Sequence, residues 1–132
     1  GVRAKAMERM VAATLERWFT PPFRARHTNL MERVGAMIRS TPAAGYVGCC
    51  HALPKTNVTD RLRDVRGPAL VIVGEDDPGT PVGMARDIHA ALPAADLAVL
   101  CRASHLSNLE QPEEFNRALG GFLDKLSGRL KL

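Results

Sequence analysis

The chain has 132 residues, 45% hydrophobic and 24% charged, which is the size and texture of one ordinary globular domain. Its net charge of +4 comes from scattered lysines and arginines, and the densest group, Arg61, Arg63 and Arg66, is interrupted by Asp60 and Asp64. A nucleic-acid surface would concentrate that charge and interleave aromatics, so no nucleic-acid partner is expected. No apolar run reaches the length of a membrane span, no signal peptide is recognisable, and no membrane partner is expected. Three cysteines, two of them adjacent at Cys49 and Cys50, form neither a disulfide framework nor a metal-ligand spacing. Reduced thiols in a cytoplasmic protein are the plain reading. The chain opens on Gly1 rather than Met, which points to a processed or cut start.

Met7, Met10, Val11, Thr14, Leu15 and Trp18 recur at three- and four-residue spacing and predict a first helix, broken at Pro21-Pro22. Thr28 is the expected N-cap of a second, with Leu30, Met31, Val34, Met37 and Ile38 on one face. A third short helical piece is expected after Pro42, carrying Tyr46, Val47, Cys50 and Leu53. Nothing in this half alternates with period two. The second half changes character. Ala69 to Val73 is a continuous apolar run, entered through Gly67-Pro68 and left at Gly74, as in a strand buried on both faces of a parallel sheet. Thr80-Pro81 supplies an N-cap and first-turn proline for a helix with Met84, Ile88, Ala91 and Leu92, ended by Pro93. Leu97 to Cys101 predicts a second strand. Pro112, Glu113 and Glu114 then open a helix with Phe115, Leu119, Phe122, Leu123 and Leu126 on one stripe. Strand, helix, strand, helix is a βαβα unit with two parallel strands and a right-handed crossover. Two such strands leave both edges open and are not stable alone, so they read as part of a larger sheet.

In open parallel sheets functional groups gather at the carboxyl ends of the strands. Here the first strand runs into Gly74-Glu75-Asp76-Asp77-Pro78-Gly79-Thr80-Pro81 and the second into Arg102-Ala103-Ser104-His105. A carboxylate on one imidazole nitrogen would fix the tautomer and leave the other as general base. The order acid then histidine is that of the α/β-hydrolases. Asp-Asp-Pro-Gly reads equally as a turn with local aspartate bonds, and a loop histidine can be incidental.

The second half resembles the C-terminal part of an α/β-hydrolase, where Gly-x-x-Asp-x-x-x-Pro follows one strand and a histidine loop the next. Gly74, Asp77 and Pro81 match the first pattern, selecting Asp77 over Asp76, and His105 matches the second. Glu16 to Pro21, Gly45 to Cys50 and Ser104 to Pro112 resemble the 3-oxoadipate enol-lactonases, and the likeness covers essentially the whole chain. It implies a helical cap over residues 1–58 and the C-terminal part of the core over 59–132. It also implies a small lactone substrate in the β-ketoadipate pathway of aromatic breakdown, with no metal and no organic cofactor. Asp77 and His105 would be catalytic. Trp18 would line the pocket, or else simply fill the first helix stripe. Arg17 or Arg24 would meet the substrate carboxylate, or else be a solvated surface charge.

The family nucleophile is a serine in a Gly-x-Ser-x-Gly elbow. The serines here are Ser40, Ser104, Ser107 and Ser127, and none has that context. Ser104 and Ser107 share His105's own loop, a poor geometry for attack. The expectation is therefore a lactonase fragment, inactive alone, whose partner is a missing N-terminal half or a second copy pairing at the open sheet edge. The alternatives are a fragment of another carboxylesterase and a non-catalytic, self-associating chain.

Overall fold

The computed structural model describes residues 2–129, with side chains from Glu8 to Gly128. Gly1 and the Met7 side chain, both used above, lie outside the described part. Four helices come first: α1 (Val2–Trp18), α2 (Pro21–Arg26), α3 (Thr28–Ser40) and α4 (Ala43–Ala52). Two 3-10 turns, Leu53–Lys55 and Thr59–Asp64, lead to β1 (Ala69–Gly74), α5 (Val82–Ala91), β2 (Ala95–Leu100), α6 (Ser107–Glu110) and α7 (Pro112–Arg129). The predicted helices and strands follow the hydrophobic periods, and α2, α6 and the two 3-10 turns are added to them. Pro21 and Pro22 end α1 and also start α2, because a proline in a first helical turn gives up an N–H that would have had no partner there.

The helical half packs around Phe19, Phe23 and Val34, with Leu15, Trp18, Leu30, Met31, Ile38 and Leu106 against them. Phe19 is fully buried and stacks on Phe23 at 5.6 Å between ring centroids. Met37, expected on the same stripe, stands out to solvent. Leu53 falls in a 3-10 turn rather than in α4, and α4 buries none of its residues. Two expected N-caps are corrected. Thr28 is the first residue of α3, behind His27, and α5 is capped by Pro81. Thr80 leaves that position because its hydroxyl is committed to Asp77 at 2.7 Å.

The strands pair in parallel with register Ala69↔Ala95 through Gly74↔Leu100, so both end at the same level. β2 starts earlier than expected, at Ala95. Among the described residues the sheet has these two strands alone, and full burial on both faces is not seen. Only Val73, Gly74 and Leu100 are buried in the strands; α5 and α7 reach the sheet, but no further described strand pairs with its outer edges.

The strand ends are fused by backbone. Glu75 N–H donates to Leu100 O and Asp76 N–H to Ala103 O, each at 2.9 Å. Arg102 turns the chain in the left-handed region, at φ 54°, laying Ala103 and Ser104 across Gly74. A Cβ on Gly74 would fall onto the carbonyl oxygens of both, so this approach admits only glycine. Gly74→Ala should cost about 1–3 kcal/mol or more, read from the urea midpoint, by forcing these loops apart. An unchanged midpoint would show that they do not touch.

Candidate active site

Fusing the strand ends sets the loop after β1 beside the loop after β2. His105 Nδ1 lies 2.8 Å from Asp77 Oδ2. An ionised carboxylate only accepts, so in the neutral ring the proton belongs on Nδ1 and Nε2 keeps its lone pair. The other oxygen, Oδ1, accepts the N–H groups of Gly79 at 2.8 Å and Thr80 at 3.0 Å. One carboxylate thus closes the Asp-Pro-Gly-Thr turn and orients the imidazole, with Oδ2 shared between the His105 ring and the Thr80 hydroxyl, which donates to it at 2.7 Å. The turn bonds and the Asp77–His105 pair belong to one arrangement.

Asp77 is buried, at 5% exposure, whereas Asp76 is exposed. Burial by itself would raise the Asp77 carboxyl. The Thr80 N–H and hydroxyl, the His105 ring and the Gly79 N–H outweigh it and hold the group below the usual aspartate range. His105 is partly exposed, and its ring stacks on Trp18 at 6.3 Å and 24°. Trp18 also forms part of an apolar hollow of about 410 Å³ between α1, α3 and α4, with Met10, Ile38, Tyr46, Val47 and Arg17. Asp77, His105 and Trp18 are therefore brought together, and Arg17 stands on the adjoining hollow. Arg24 instead turns toward Glu16, 3.9 Å away.

The Ser104 hydroxyl donates to Arg17 O at 2.8 Å and is 2% exposed, so it is occupied and withdrawn from any attack. Ser40 and Ser127 likewise donate to backbone carbonyls of their own helices. Among the described residues no three His, Cys, Asp or Glu side chains gather as a metal ion would require, and no helix is long and apolar enough to cross a membrane. Two polar residues at the site were not foreseen. Thr80 had a detectable signal, as an Asp-x-x-Thr local motif. Glu110 had none, because its partner Thr20 is reached only through the tertiary fold and its bond to the Ser104 N–H, six residues back, follows no local spacing rule.

Residues 2–118 match the alpha/beta hydrolase family profile. The chain belongs to that family. Its βαβα half is the carboxyl-terminal part of an α/β-hydrolase fold. It is similar to 3-oxoadipate enol-lactonase 1 of Acinetobacter baylyi, 34% identical over 125 residues, which is 95% of this chain and 47% of that protein. Among solved structures it is similar to the enol-lactonase of Burkholderia xenovorans LB400 (TM-score 0.86, 28% identity, 92% of this chain and 46% of that one). A hydrolase from Pseudomonas aeruginosa PA01 is comparable (TM-score 0.83, 34% identity, 89% and 44%). The chain spans about half the length of the curated relatives it matches.

A carboxylate held below its ordinary pKa stabilises a fold above that pKa, and the contribution is lost as pH falls through the folded value. Asp77→Asn should therefore lower the unfolding free energy by about 1–3 kcal/mol at neutral pH. The gap to the unsubstituted chain should close on acidification below about pH 3.9, the ordinary aspartate value. Urea titrations at several pH values check this, and a gap constant across pH would contradict it.

Proposed function

We propose that this chain supplies the acid and base of a Ser-Asp-His triad in a 3-oxoadipate enol-lactonase, and that residues beyond these 132 supply the serine. The observation that carries the reading is the buried Asp77 carboxylate bonded to His105 Nδ1, with no hydrogen bond to Nε2 among the described residues. Similarity to an enol-lactonase along nearly the whole chain supports the substrate class. The serine Oγ attacks the lactone carbonyl as Nε2 takes its proton. The tetrahedral intermediate collapses with cleavage of the ring C–O bond, and the imidazolium returns the proton to the departing enol oxygen. Water then attacks the acyl-enzyme, giving its proton to Nε2. Serine leaves with that proton and the carboxylic acid is released. Asp77 holds the tautomer and stabilises the imidazolium throughout.

In this reading the helices α1 to α4 form the cap, Trp18 walls the pocket, and Arg17 meets the substrate carboxylate. The product belongs to the β-ketoadipate pathway of aromatic breakdown. The open edge of β1 is where the nucleophile-bearing part of the sheet adds, since a two-stranded parallel sheet needs neighbours.

The test is hydrolysis of the enol-lactone by this chain alone and by this chain joined to the part of the Acinetobacter baylyi enol-lactonase that it does not match. The joined protein should be active and the chain alone inactive, since losing a triad serine costs on the order of a million-fold. His105→Gln in the joined protein should lower kcat by roughly 10⁴-fold or more. Arg17→Gln should raise KM roughly tenfold with a smaller change in kcat, as for loss of a uniform binding contact. Activity of the chain alone, or a preference for simple aryl esters over the lactone, would overturn the reading.

A further inference from the structure

Glu110 is a buried carboxylate that the proposed mechanism does not use. It is 7% exposed, and among the described residues it has no cationic partner. Burying such a charge is costly unless its lone pairs are met. Three neutral donors meet them. Oε1 accepts the Thr20 N–H at 2.9 Å and the Thr20 hydroxyl at 2.7 Å, while Oε2 accepts the Ser104 N–H.

Those donors stand at two telling places. Thr20 follows the end of α1, two residues after Trp18, and Ser104 immediately precedes His105. The same seam holds two further bonds, from the Ser104 hydroxyl to Arg17 O at 2.8 Å and from Leu106 N–H to Trp18 O at 3.1 Å. Both neighbours of His105 are thus tied to the segment that carries Trp18. Asp77 restrains only one ring nitrogen of His105, and the backbone beneath that ring is held by this seam.

We propose that Glu110 is a positioning residue for His105, acting through Ser104 and Thr20 to lock the histidine loop to the end of α1. The imidazole is thereby kept between Asp77 and the Trp18 indole. The inference rests on the reading of His105 as the general base. A glutamine in this place keeps the shape but turns an N–H₂ donor toward one of the three donors. One side of the clamp must open, and a buried N–H is left unpaired.

Trp18 is the single tryptophan, so its emission reports this contact directly. An imidazolium quenches an adjacent indole, so acidification through the range where imidazoles protonate should dim Trp18 in the 132-residue chain. His105→Gln marks how much of that step belongs to His105. Glu110→Gln should cut the His105-dependent step at least about twofold, with an unchanged far-UV circular dichroism spectrum; in the joined enzyme kcat should fall roughly 10- to 100-fold with KM little altered. Thr20→Val removes one of the three bonds without adding a donor and should give a smaller change in the same direction.

A Glu110→Gln chain that folds and retains the full step and kcat would overturn the proposal. If Glu110→Gln does not fold, a folded Thr20→Val chain with an unchanged step would do the same. An inactive joined enzyme would sink the lactonase reading, and the Trp18 step would still decide the clamp. If the unsubstituted chain shows no His105-dependent step, the contact between the two rings is absent and the proposal falls.

Discussion

Everything at the site depends on one carboxylate holding two loops at once. Asp77 Oδ1 draws in the backbone of Gly79 and Thr80, which shapes the turn ahead of α5, and Oδ2 draws in the imidazole of His105. Neither loop would need this geometry alone. The parallel register ends β1 and β2 at one level, and Gly74 lets Ala103 and Ser104 cross close enough for the two side chains to meet. Burial makes the arrangement sensitive. The charge is tolerated because the donors around it outweigh its desolvation.

The second constraint is the seam between the helical half and the βαβα half. Thr20, Glu110, Ser104 and Leu106 form it with backbone from the last turn of α1. Its polar groups are paired with each other, so the Trp18 side of the site is held by directional bonds rather than by apolar packing alone. Elsewhere the surfaces are less complete. α4 is apolar in composition yet buries no residue, and the sheet faces are only half covered. That incompleteness accords with a chain that spans about half the length of its relatives.

Much of this was legible in the sequence because it rests on short-range regularities. The apolar run Ala69–Val73 and the helices α1, α3 and α7 follow directly from periodicity, although Leu123 of the α7 stripe and Met84 and Ile88 of α5 stand exposed. The Asp77 and His105 loops could be set side by side because parallel strands align their carboxyl ends. Local donors misled where a tertiary partner competed. Thr80 has the chemistry of an N-cap but gives its hydroxyl to Asp77, leaving the cap position to Pro81. Met37 shares the helical spacing of Val34 and Ile38, yet the core does not extend to its side of α3. Glu110 was invisible for a different reason: its bonds to Thr20 join residues 90 positions apart, and no spacing rule encodes them.

The most direct measurement of the central claim is the tautomer of His105, read by ¹⁵N and ¹H nuclear magnetic resonance of its ring in the 132-residue chain. The Asp77 geometry predicts a protonated Nδ1 with a low-field, slowly exchanging proton and an unprotonated Nε2 when the ring is neutral. That proton should vanish in Asp77→Asn. A neutral ring protonated on Nε2, or one averaging between tautomers as in free histidine, would contradict the account.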